Sequence, residues 1–125
     1  MNKSQFSFEN LDVWQKAVEF ANMTISITEQ LQTERKHFHL IEQLEAASTS
    51  IALNIAEGKG RYSKKEFIQF LYIARGSLFE TITLLTIFHK RGWIDISQLE
   101  QIRSFANEIG KMISALINSL KSHEL

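Results

Sequence analysis

Asn54-Ile55-Ala56-Glu57-Gly58-Lys59-Gly60-Arg61-Tyr62-Ser63-Lys64-Lys65-Glu66-Phe67 is the stretch on which the fold turns. An apolar row enters it through Leu40, Ile41, Leu44, Ala47, Ile51 and Ile55, at the three- and four-residue spacing of one helix face. Gly58 then offers the left-handed conformation that closes a helix at its C′ position. Ser63-Lys64-Lys65-Glu66 reads as a capping box, in which the serine hydroxyl and the glutamate carboxylate each satisfy a free backbone amide. One helix ends, a short basic loop turns, and another helix begins.

Working outward, the same punctuation recurs. Upstream, Asn10 is placed to cap a first helix over residues 11–31, with Asp12 favourable against its N-terminal dipole and Trp14, Ala17, Val18, Ala21 and Ile25 as its stripe. Thr33 is placed to cap the second helix, over 34–57. Downstream, the third helix covers 64–91 and stops at Gly92. Ser97-Gln98-Leu99-Glu100 reads as a second capping box for a fourth helix over 98–121, with Leu99, Ile102, Ala106, Ile109, Ile113, Leu116 and Leu120 on its inner face. Proline is absent and no strand-like alternation occurs, so the chain reads as all-α. Helices of about 20 to 28 residues, roughly 30 to 42 Å long, joined by short loops predict one antiparallel up-down four-helix bundle over residues 1–125.

Composition narrows the function classes. A chain of 125 residues with 44% hydrophobic and 22% charged residues is expected to fold as one domain, not as a disordered or collagen-like chain. The absence of cysteine removes disulfide scaffolds, thiolate metal sites and cysteine nucleophiles. Residues 1–10 contain no apolar run of signal-peptide length, and no uncharged apolar window of about 18 residues follows, so a soluble, cytoplasmic protein without a membrane partner is expected. Fourteen basic residues balance fourteen acidic ones, which excludes a whole-surface attraction for phosphate polymers. The charge is nevertheless segregated. Residues 1–58 hold four basic and eight acidic residues, whereas 59–75 hold Lys59, Arg61, Lys64, Lys65 and Arg75 against Glu66 alone. These five cations are the candidate nucleic-acid-binding residues.

The helices carry more apolar surface than a four-helix monomer covers. The third already has a stripe of Phe67, Leu71, Ala74, Leu78, Ile82 and Leu85, yet Ile73, Leu84 and Ile87 point away from it, with Tyr72 and Phe79 on the flank. Val13, Phe20 and Ile27 form a second row on the first helix, and Leu53 lies on the back of the second. These nine residues, Val13, Phe20, Ile27, Leu53, Tyr72, Ile73, Phe79, Leu84 and Ile87, are the candidate interface of a homo-oligomer.

No set of side chains reads as a catalytic or metal centre. His37 and His39 are two apart and so fall on different helix faces, while His89 and His123 have no ligand or triad partner nearby in sequence. Gly58-Lys59-Gly60 follows a helix instead of a strand and lacks the spacing of a phosphate-binding loop. No enzyme activity, cofactor or small-molecule substrate is expected. Asn54, Glu57, Arg75 and Glu80 lie within apolar helices and are expected to form a structural polar network, bonding one another across helices or subunits.

Three blocks carry a family resemblance: Leu11-Asp12-Val13-Trp14-Gln15-Lys16-Ala17; then Gln43-Leu44-x-Ala46-Ala47-x-x-Ser50-Ile51-x-x-Asn54-Ile55-Ala56-Glu57-Gly58-x-Gly60-Arg61; then Ser63-x-Lys65-Glu66-Phe67-x-x-Phe70-Leu71-x-Ile73-Ala74-x-Gly76-Ser77-x-x-Glu80. The chain resembles the bacterial four-helix bundle proteins encoded in intervening sequences of 23S ribosomal RNA genes. The fourth helix fits by length and pattern. The resemblance implies an antiparallel four-helix bundle assembled as a homopentameric ring, with Asn54 to Gly58 as a structural signature. It also implies a relationship to the accessory variability protein of diversity-generating retroelements, a basic pentamer that binds nucleic acid and a reverse transcriptase. Two functions stay open: an oligomeric bundle that binds RNA or a nucleoprotein partner through the basic loop, and a protein-interaction scaffold without nucleic-acid binding.

Overall fold

The computed structural model describes residues 6–31 and 37–122. Four long helices carry the fold: α1 (Asp12–Glu29), α2 (Phe38–Lys59), α3 (Lys64–Lys90) and α4 (Ile96–Ser122). A 3-10 turn, Ser7–Asn10, precedes α1, and no strand occurs among the described residues. Thr33 and the expected start of the second helix lie outside the described residues.

All four helices contribute to one core, in which Ala17, Phe20, Leu44, Ile51, Ile55, Leu71, Leu85, Phe88, Ile102, Ile109 and Ile113 lose all solvent contact. Each helix packs on its neighbours in the chain, and α4 closes the arrangement against α1. Contacts run in opposite numerical order along facing helices. On α2 and α3, Gln43 meets Glu80, Ser50 meets Ser77, and Gly58 meets Phe67 and Phe70. On α3 and α4, Tyr72 meets Lys121 and Arg75 meets Ser114. α3 is also long and apolar enough to cross a membrane. Here its apolar side chains supply the largest share of the core, from Phe67 to Phe88.

The ends of the helices differ from expectation in informative ways. Gly58 is not a left-handed terminator. It sits inside α2, buried, and a Cβ there would lie 2.7 Å from Phe70 Cβ and 2.9 Å from Phe67 Cδ1. The glycine lets α2 and α3 approach closely, and the chain leaves the helix at Gly60 with an ordinary right-handed φ of −82°. Gly92 does take positive φ, 81°, and builds a Schellman ending. The Trp93 amide donates to the Phe88 carbonyl at 3.0 Å, and the two rings meet edge-on at 4.9 Å. At the start of α3, Ser63 Oγ accepts from the Glu66 amide at 3.1 Å. The box at the start of α4 is Asp95 with Gln98, not Ser97 with Glu100: the Gln98 amide donates to Asp95 Oδ1 at 2.8 Å, and the Asp95 amide to Gln98 Oε1 at 3.0 Å. α1 is preceded by Leu11 at the cap position, with Asn10 drawn into the 3-10 turn.

The first helix is rotated relative to its expected phase. Val13, Ala17, Phe20, Ala21 and Thr24 are buried, whereas Trp14, Val18 and Ile25 are half-buried along the α1/α2 groove. Two apolar rows lie side by side on this helix, and periodicity alone does not choose between them. Thr24 is accommodated in the core because its hydroxyl donates to the Phe20 carbonyl at 3.0 Å.

Candidate functional site

The α2/α3 turn brings Lys59, Arg61, Lys64 and Lys65 together at one end of the molecule. Arg61, Lys64 and Lys65 are exposed, and Lys59 is half-buried. The turn is held by packing under it: Lys59 Nζ lies 6.0 Å from the Phe67 ring centroid, and the Arg61 guanidinium 4.8 Å from that of Phe70. Each contact lets a cation rest its stem on apolar surface while its charge stays in water. Arg61 is also tied to Glu57, Nη2 to Oε2 at 2.7 Å, so part of its charge is answered within the chain. Lys64 and Lys65 occupy the first turn of α3.

Arg75 does not join this cluster. It faces α4, where Nη1 donates to Ser114 Oγ at 3.3 Å and the guanidinium lies 4.9 Å from the Tyr72 ring centroid. Lys121, near the end of α4, donates to the Tyr72 hydroxyl at 2.9 Å. That hydrogen bond, with the positive charges of Lys121 and Arg75 close by, holds the Tyr72 phenol below its ordinary ionisation range. At helical spacing Lys111 and Lys121 fall on the polar row of the fourth helix, opposite Leu99, Ile102, Ala106 and Ile109. Their spacing was visible, but the α3 residues opposite them were not.

Asn54, Glu57, Arg75 and Glu80 do not form one network. Asn54 Nδ2 donates to the Ser50 carbonyl and hydroxyl at 2.8 and 2.9 Å, and Ser50 in turn meets Ser77 Oγ at 2.9 Å. Glu57 pairs with Arg61, Arg75 with Ser114, and Glu80 accepts from Gln43 Nε2 at 3.3 Å. Opposite charges within the set therefore find other partners, because the helix positions that carry them face different neighbours.

The candidate interface residues divide. Leu53, Tyr72, Ile73, Phe79 and Ile87 are exposed, Leu53 at 66% and Phe79 at 60%. Val13, Phe20 and Leu84 are buried in the core of the single chain and are withdrawn as surface residues. Ile27 is partly buried against that core. For Val13 and Phe20 the reason is the rotated phase of α1; for Leu84 it is that α3 meets neighbours on two sides.

His37 packs its ring 4.5 Å from that of Trp93, His39 lies 3.7 Å from Glu42, and His89 Nδ1 is 3.1 Å from the Ile94 carbonyl. Among the described residues no three histidine or carboxylate side chains converge on a common point, and no buried polar side-chain atom lacks a partner. His123 lies outside the described residues.

Fold and site together define a small all-α protein of four helices with a cationic turn at one end. The chain belongs to the 23S rRNA-intervening sequence protein family, whose model matches residues 9–115 and so reaches well into α4. It is similar to a protein of unknown function from the S23 ribosomal protein family of Bacteroides thetaiotaomicron, known from a crystal structure. The two are 31% identical, with a TM-score of 0.78 over 84% of this chain and 97% of that one. A comparison with curated proteins finds no match.

Proposed function

We propose that the protein is a non-catalytic, cytoplasmic RNA-binding bundle whose four helices run antiparallel, up and down, and whose copies assemble into a homo-oligomeric ring of five. The observation that carries the RNA reading is the gathering of Lys59, Arg61, Lys64 and Lys65 on one turn and the helix start beyond it. In a ring, every copy would repeat that turn at one rim, multiplying the phosphates neutralised. The reversed order of contacts along facing helices supports the antiparallel arrangement. The exposed Leu53 and Ile73 support self-association. The family's association with 23S rRNA intervening sequences makes ribosomal RNA the first ligand to try. The resemblance to accessory variability proteins adds a nucleoprotein, or a reverse-transcriptase-like protein, as a second class of partner.

The test is titration of labelled 23S rRNA fragments, at low and moderate salt, against the wild type and a variant with Lys59, Arg61, Lys64 and Lys65 all changed to Glu. If four phosphates of single-stranded RNA are neutralised, affinity should fall roughly 50-fold between about 50 and 200 mM salt. It should be lost in the variant. Absence of binding, or equal binding by the variant, favours a second reading, a protein-interaction scaffold, for which the exposed apolar residues of α2 and α3 are the supporting observation.

A further inference from the structure

A groove of about 750 Å³ runs between α3 and α4, away from the basic turn. Its floor is apolar, built by Leu78, Ile82 and Ala106, and Phe79 stands at its side 60% exposed. Arg75 and Lys111 line it, and no carboxylate does. Arg75 is half-buried with only the neutral Ser114 hydroxyl as hydrogen-bond acceptor, and neither it nor Lys111 nor Lys121 forms an ion pair among the described residues. Arg75 rests against the Tyr72 ring but faces no anion among the described residues, so an incoming carboxylate finds a cation that no other carboxylate holds.

We propose that this groove is the docking site for an amphipathic helix of another protein, one whose apolar row is flanked by Asp or Glu. The dimensions fit. α4 borders the groove from Asn107 to Asn118, about 17 Å of helix and so about three turns of a partner laid alongside. An apolar floor with cations at its edge is the complement of an acidic amphipathic helix. RNA would place its phosphates on Arg75 and Lys111 but leave the floor unmatched. Through α1 or α2, a second copy of this chain is a poorer occupant. The carboxylates of Glu42, Glu45 and Glu57 on α2 are already engaged by His39, Thr28 and Arg61. The outward row of α1, Asp12, Gln15, Glu19, Asn22 and Ser26, contains no apolar side chain.

The experiment uses the full chain and a fluorescein-labelled helical peptide of about 14 residues, long enough for the groove, with leucines at three- and four-residue spacing and glutamates on both flanks. Fluorescence anisotropy is expected to report binding that weakens about tenfold or more in Arg75→Glu and in Lys111→Glu. Phe79→Ser should weaken it as well, while the quadruple Glu variant of the basic turn should bind as wild type does. A peptide with glutamines in place of the glutamates should bind about tenfold less tightly. Circular dichroism of each variant separates lost binding from lost fold, and Lys111, being exposed, is the variant least able to disturb the core. Three results would overturn the proposal: peptide affinity indifferent to Arg75, Lys111 and Phe79; an oligouridylate that binds wild type and is lost in Arg75→Glu; or dissociation of an oligomer by Arg75→Glu or Lys111→Glu. The second would assign the groove to RNA and the third to another copy of the chain. None of these outcomes depends on whether the basic turn binds RNA.

Discussion

At the residue scale, glycines in this chain act in opposite ways. Gly58 is held by Phe67 and Phe70, with no room for a methyl group: a Cβ would be 2.7 Å from Phe70 Cβ and 3.3 Å from the Phe67 carbonyl oxygen. Gly58→Ala is expected to lower stability by about 1–3 kcal/mol through overpacking at the α2/α3 crossing. Gly76 has nothing within 4 Å, so Gly76→Ala should raise stability by about 0.5–1 kcal/mol through helix propensity alone. Urea unfolding of the two variants checks both signs at once. Tyr72 gives a second residue-scale prediction. Its phenol is held below the ordinary range chiefly by the Lys121 hydrogen bond, so in a Tyr62→Phe background its phenolate absorbance should appear at lower pH than in Lys121→Met. The sign of the linkage follows. While Tyr72 is neutral in both folded and unfolded chains, its ionisation adds nothing to stability. Stability is gained as pH rises through the folded-state value and reaches its full extent above the unfolded value of about 10.

At the scale of the elements, helix identity was legible in the sequence and helix phase was not. Periodicity, missing proline and the Ser63 cap pointed to four helices, because these signals are local. Which row of α1 faces inward depends on α2 and α4, so with two adjacent apolar rows the Trp14 row was expected inside where the structure buries Val13 and Phe20 instead. The starting point of α4 was misread for a related reason. Ser97-Gln98-Leu99-Glu100 and Asp95-Ile96-Ser97-Gln98 both fit a capping pattern, and the Schellman ending at Gly92 and Trp93 delivers the chain to Asp95 first. Asp95→Ala is therefore expected to cost about 1 kcal/mol, by analogy with other lost N-caps, whereas Ser97→Ala should change stability by no more than a few tenths. Thermal unfolding of the pair discriminates the two starts directly. The candidate site divides along the same line. Lys59 to Lys65 were legible as a cluster because they are contiguous, whereas Arg75 went to a different face and its companions Lys111 and Lys121 come from a helix far along the chain.

At the scale of the whole molecule, burial separates two kinds of apolar residue that sequence grouped together. Phe20 has no solvent exposure and packs at a tilt against Phe105, with ring centroids 6.1 Å apart, so Phe20→Ala should cost about 3–5 kcal/mol in the single chain. Leu53 and Ile73 are 66% and 52% exposed, so changing them leaves the core of the chain untouched. If copies associate through this face, Leu53→Glu combined with Ile73→Glu places like charges and desolvated carboxylates at every contact, which is strongly unfavourable. Sedimentation velocity at micromolar concentration should then find an oligomer for the wild type and a folded monomer for the double variant, with helical circular dichroism retained. Phe20→Ala serves as the contrast, since it should lose stability without selectively changing association. A wild type that sediments as a monomer would leave Leu53 and Ile73 without a self-association role, and the exposed face would then belong to a partner of different sequence.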